Sequence, residues 1–70
     1  MSKPTPRAMQ IVALMADGLT AKEIGDRLGI TGKTVTNTIT MNYPRMGVSK
    51  DTAAVAWYIR NVEMKGAARG

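Results

Sequence analysis

The chain has 70 residues, 44% of them hydrophobic, and a formal net charge of +5, so it forms one domain at most and buries only about 60% of the surface its unfolded form exposes. Cysteine and histidine are both absent, which excludes a disulfide staple and a Cys/His zinc site and leaves apolar packing to hold the fold. Five carboxylates without a thiol or an imidazole offer little for acid–base or nucleophilic chemistry, so an enzyme is not expected and neither a cofactor nor a metal ion is implied. The longest apolar run, Ile11 to Ala16, is far short of the roughly 20 residues that span a bilayer, and no signal-peptide pattern opens the chain. A soluble, cytoplasmic protein without a membrane partner is expected, in keeping with the lack of cysteine.

Helix-start and helix-stop signals divide the chain into four segments. Thr5 before Pro6 is an N-cap with proline at the first helical position, where its missing N–H costs nothing. The helix runs to Asp17 with Ala8, Ile11, Val12 and Met15 at helical spacing, and Gly18 closes it. Leu19 and the N-cap Thr20 follow, with Glu23 three residues on in the capping-box pattern. The second helix turns Ala21, Ile24, Gly25 and Leu28 to one side and ends at Gly29. Ile30 and the N-cap Thr31 open a third helix that sends Val35 and Ile39 inward and ends before Gly47. Val48, the cap Ser49 and a helix from Lys50 to about Met64 repeat the arrangement. No segment alternates as a strand does, so the fold class is all-α with four helices. Residues 1–4 and 65–70 lack periodicity and read as disordered ends around one domain spanning 5–64.

Charge is unevenly placed. From Arg27 through Lys50 the chain holds four basic residues, Arg27, Lys33, Arg45 and Lys50, and no acidic one. A solvated face usually interleaves the two signs, so this stretch is expected to meet phosphates.

The stretch AKEIGDRLGITGKTVTNTIT, Ala21 to Thr40, holds the informative constellation. Two short helices that cross steeply need a small residue where they touch, a turn that glycine enters cheaply and apolar residues that pin the angle. Gly25, Gly29 and the group Ile24, Leu28, Ile30 and Val35 supply these in turn. Such a helix-turn-helix presents its second helix to the major groove of DNA.

The segments MADGLTAKEIGDRLGITGKTVTNTIT, MGVS and AVAWYIRN resemble the LuxR/NarL-type (GerE-like) DNA-binding domain in order and spacing, from about Thr5 to Asn61. The resemblance implies a tetrahelical helix-turn-helix fold that binds double-stranded DNA, usually as a dimer and usually to regulate transcription. It places the recognition helix at Gly32 to about Tyr43, with base-facing positions Thr36, Asn37 and Thr40 and backbone-clamping positions Lys22, Lys33, Thr34 and Val35. The residues alone support a similar assignment. Thr36, Asn37 and Thr40 share one helical face and have short hydrogen-bonding side chains that reach base edges. Lys33 adds charge at a helix start whose N–H groups already favour phosphate, beside the cap Thr31.

Four departures from the family pattern stand out. Relatives often carry lysine where this chain has Thr36, which removes bidentate guanine readout there. Asn42 stands where relatives bury an aliphatic side chain, so Tyr43 or Met41 is expected to take over that packing. Pro44 crowds the carbonyl of Thr40 and is expected to end or kink the recognition helix. The acidic residues of the family's first helix appear as Ala8 and Gln10, which removes the capping-box partner of Thr5.

In the fourth helix, Ala54, Val55, Tyr58, Ile59 and Val62 are assigned to the core. Ala53, Trp57, Arg60 and Met64 then form an opposite stripe, apolar enough to be the contact of a homodimer. Met9, Met15, Met41, Met46 and Met64 read as core filler or surface rather than a ligand lining. The expectation is a stand-alone phage or bacterial transcription regulator. The alternative is a protein-interaction module of the same fold that docks on RNA polymerase, a sigma factor or another regulator.

Overall fold

Threonine starts three of the four helices, and in each case its hydroxyl takes an N–H that the first helical turn leaves without an intrahelical partner. The computed structural model describes residues 3–63. Helix α1 spans Pro6–Ala16 behind Thr5, α2 spans Ala21–Leu28 behind Thr20, and α3 spans Gly32–Met46 behind Thr31. Thr20 Oγ1 accepts from Glu23 N at 3.2 Å while Glu23 Oε1 accepts from Thr20 N at 2.8 Å, so both halves of the capping box form. No strand occurs among the described residues. The chain is the four-helix, all-α domain read from the sequence.

The helix ends repeat one device. Gly29 takes φ 75°, a left-handed conformation that other residues enter at a cost. It lets Ile30 N reach back to Gly25 O at 2.9 Å. Helices α1 and α3 close with the same wide bond, from Leu19 N to Leu14 O and from Val48 N to Tyr43 O. The residue after each turn, Leu19, Ile30 or Val48, packs against the core. Each chain reversal is thereby anchored by one apolar side chain.

All four helices feed one core. Ala8, Ile11 and Val12 come from α1, Ile24 from α2, Val35, Ile39 and Met46 from α3, and Ala54 from α4. Helices α1 and α3 each pack against all of the other three.

Three local expectations are corrected. Pro44 does not stop α3, which continues to Met46 and closes on Gly47. Proline removes the bond to Thr40 O, but Thr40 and Pro44 are both exposed, so the lost bond falls on the solvent side of the helix, while the buried Met46 anchors the last turn. Tyr43 packs half-buried against the core, but neither it nor Met41 displaces Asn42 from it. Asn42 is itself 5% exposed, and Met41 stands out at 77%. Asn42 Oδ1 accepts from Thr5 N at 2.9 Å, and its Nδ2 donates to Thr38 O at 2.8 Å. Two departures from the family pattern therefore compensate for each other. Ala8 cannot return a side chain to the Thr5 N–H, and Asn42 receives that N–H from across the bundle.

The third correction concerns the last helix. Helix α4 is Asp51–Tyr58, its N-cap is Lys50 rather than Ser49, and no side chain caps it. Asp51 Oδ1 instead accepts from Thr52 N at 2.7 Å. Beyond Tyr58 the chain widens into a π-helical turn, Ile59–Glu63. There Asn61 Nδ2 donates to Trp57 O at 2.9 Å, occupying the acceptor that its own N–H would use in an α-helix. The wider turn shifts the facing of the residues from Ile59 onward, whereas Ala53 and Trp57 lie in the regular helix before it. Ile59, assigned inward, is 37% exposed, whereas Trp57, assigned outward, is half-buried against the core. Met64 lies outside the described residues.

Candidate nucleic-acid interface

The crossing of α2 over α3 is set by backbone proximity. A Cβ on Gly25 would lie 2.5 Å from Ile30 O and 3.1 Å from Gly32 N, so nothing larger than glycine fits without a backbone shift. A Cβ on Gly32 would meet Lys22 N at 3.5 Å and Ala21 C at 3.6 Å. The first turn of α3 thus lies on the first turn of α2. Lys22 and Lys33, both exposed, flank this junction.

Hydroxyl geometry at the start of α3 sorts the expected phosphate contacts. Thr31 Oγ1 accepts from Thr34 N at 3.1 Å and donates to Thr34 Oγ1 at 2.9 Å. A hydroxyl has one proton, so the Thr31 proton is engaged and the Thr34 proton is left to point outward. Thr31 orients and Thr34 offers. Val35 does not belong with them. It is 2% exposed, and its N–H is bonded to Thr31 O at 3.0 Å. Val35 is a core residue with no donor for a phosphate.

Further along α3, Thr36, Asn37 and Thr40 are all exposed, as the sequence reading required. They do not stand equally far forward. Thr36 lines a groove with Thr20 and Ala21 of α2, Tyr43 and Asp51, so it sits at the α2 edge of the face. Burial, and then the Asp51 carboxylate, raise the Tyr43 phenol above its ordinary value, and the nearby Thr40 hydroxyl opposes them. Asn37 is exposed on the side of the helix opposite Val35 and Ile39, which are buried behind it.

The basic stretch from Arg27 to Lys50 is not one patch in space. Arg27 lines a shallow surface depression with Glu23 and Asp26, and it helps hold the Glu23 carboxyl below its usual range, behind the stronger effect of the hydrogen bonds from Thr20. Arg45 Nη1 donates to Lys3 O at 3.2 Å, which ties the start of the described chain to the end of α3. Of the four basic residues, Lys33 is the one at the α2–α3 junction, where Lys22 joins it from outside the stretch. Sequence reasoning also missed Met41, exposed on α3, and Asp51, which faces Thr36 and Tyr43 from the start of α4. Neither position has a signal in a linear pattern, because both depend on where α3 and α4 pack.

Among the described residues no helix is long and apolar enough to cross a membrane. No solved structure matches the chain. One curated relative, described as transcriptional regulatory protein LiaR of Bacillus subtilis (strain 168), is 44% identical over 57 residues. The match covers 81% of this chain and 27% of the relative, so the chain spans about a quarter of that protein's length. Residues 4–65 match the GerE family, described as bacterial regulatory proteins, luxR family. That match takes in all four helices and the junction between α2 and α3, and the chain belongs to the luxR family of bacterial regulatory proteins.

Proposed function

We propose that this domain binds double-stranded DNA sequence-specifically, with α3 in the major groove, and that it regulates transcription. The observation that carries the reading is the exposed, hydrogen-bonding face of α3 beside the paired lysines of the α2–α3 junction. Lys22, Lys33 and Thr34 hold phosphates, with Thr31 orienting Thr34. Asn37 and Thr40 reach base edges, where asparagine pairs bidentately with adenine and threonine touches a thymine methyl. Thr36 reads from the α2 edge. The similarity to a protein named as a transcriptional regulator supports the regulatory role.

Two copies are proposed to associate through the outer surface of α4 and the turn after it, with Ala53, Trp57 and Arg60 in the contact. A half-buried tryptophan keeps enough of its indole at the surface to anchor an interface. Half-sites would then lie about one helical turn apart, roughly 10 bp.

Affinity for a mixed-sequence duplex measured across salt concentrations tests the reading. Phosphate binding weakens steeply as ions are added, with a slope of about 0.9 per phosphate neutralised, whereas docking on a protein surface through apolar contacts does not involve DNA at all. The expected result is a salt-dependent affinity for duplex DNA, and no measurable binding at low salt would refute the proposal.

A further inference from the structure

The face of α3 carries one side chain that neither clamps phosphate nor forms hydrogen bonds. Met41 is 77% exposed, and the other large hydrophobic that stands out from the described residues, Ile59, reaches 37%. At about 100° per residue around the helix, Met41 stands about 40° from Asn37, closer to it than Thr40 at about 60° or Thr36 at about 100°. Val35, Ile39, Asn42 and Met46 are buried on the opposite side. Met41 therefore stands on the outward face, one turn beyond Asn37.

Among the described residues Met41 is not part of the packed core. Pro44, in the next turn of the same face, has no N–H to donate, and the Arg45 guanidinium is turned to Lys3 O. Past Asn37 and Thr40 the outward face offers the apolar surface of Met41 and Pro44, with the Arg45 guanidinium drawn toward Lys3. A face made only for water would place lysine, glutamate or alanine here, which also form better helices than threonine or proline. The major groove has one apolar group on its base edges, the C5-methyl of thymine. A thioether side chain is flexible and polarisable, and packs on such a methyl without the strict geometry of a hydrogen bond.

We propose that Met41 is a specificity-determining residue that packs on the C5-methyl of a thymine in the bound site. The proposal rests on the reading of α3 as the helix that enters the major groove. It adds an apolar selection for thymine beside the hydrogen-bonding selection by Asn37.

The test begins by enriching bound duplexes from a random-sequence pool with the wild-type protein. Each thymine of the enriched site is then replaced singly by uracil, which removes the methyl and keeps the base pair. Wild type, Met41→Ala and Met41→Leu are titrated against every duplex. At one thymine, uracil should weaken wild type by about three- to fivefold, the effect of exposing one buried methyl. Met41→Ala should bind the two duplexes equally, and Met41→Leu should keep the preference. Because Met41 is exposed, thermal melts of both variants should match wild type. A scan in which uracil, at every thymine of the site, penalises wild type and Met41→Ala alike or penalises neither overturns the assignment of Met41 while leaving DNA reading by α3 intact. Failure of any sequence to enrich overturns both.

Discussion

Asn42 is predicted to substitute, from 37 residues away, for the missing half of a capping box at the start of α1. Asn42→Leu restores an apolar side chain at the position but leaves the Thr5 N–H without its acceptor. A part-buried donor left unpaired costs about 1–3 kcal/mol, of which the added apolar burial returns a fraction, so a net loss of about 1–2 kcal/mol is expected. Ala8→Glu alone places a carboxylate at the third helical position, but Ala8 is fully buried and the Thr5 N–H is already taken. Crowding and an unrewarded charge should cost about 1–3 kcal/mol. Combined, the two substitutions let the introduced carboxylate accept from Thr5 N in the usual capping-box manner. The double variant should therefore be more stable than the sum of the singles by about 1 kcal/mol or more. Urea denaturation of the four proteins gives this coupling directly. Sites without a shared partner add within about 0.3–0.5 kcal/mol, and additivity of that quality here would refute the idea that Asn42 and a residue at position 8 serve the same N–H.

Gly25→Ala should cost about 1–3 kcal/mol in a thermal or urea melt, because its Cβ would stand 2.5 Å from the Ile30 carbonyl and only backbone can move. Gly29→Ala meets no atom within 4 Å but must keep φ 75°, so it should cost about 1 kcal/mol. Glu23 has a lowered carboxyl pKa in the folded chain, chiefly because Thr20 N–H and hydroxyl bond its charged form. Its contribution is therefore complete above the unfolded value of 4.5 and disappears as pH falls through the lower folded value, and Glu23→Gln should flatten the melting temperature across that acid window. Arg60→Glu changes an exposed side chain beside Trp57, so it should leave the monomer's melt unchanged yet shift sedimentation toward the monomer. An unaltered sedimentation coefficient at matched concentration would remove Arg60 from the contact.

What was legible in the sequence was local. The caps Thr5, Thr20 and Thr31 and the closing turn at Gly29 each involve residues within five positions of one another, so their hydrogen bonds can be read without knowing any tertiary contact. The exposed residues of α3 followed from helical periodicity in the same way. The rest depended on contacts across the bundle. Asn42 looked like a defect because its acceptor role lies in the Thr5 N–H of another helix. Pro44 looked like a terminator because the burial of Met46 beyond it is invisible locally. Ile59 was placed inward because the π-helical turn that begins there breaks the 3.6-residue period on which a wheel relies. Basic residues adjacent in sequence dispersed because α2 turns Arg27 toward Glu23 and Asp26, while the end of α3 turns Arg45 toward Lys3. Family resemblance placed Val35 among the clamping residues, whereas packing put it in the core.

The central claim is that one end of α3 positions DNA and the outward face beyond it reads sequence. Lys33→Ala and Asn37→Ala, titrated against an enriched duplex and its scrambled counterpart at two salt concentrations, test it most directly. Lys33→Ala should weaken both duplexes alike and reduce the salt slope by about one unit. Asn37→Ala should lose about 1–3 kcal/mol on the enriched duplex and almost nothing on the scrambled one. Equal losses for Asn37→Ala on both duplexes, or discrimination between them by Lys33→Ala, would contradict the division of labour assigned to this helix.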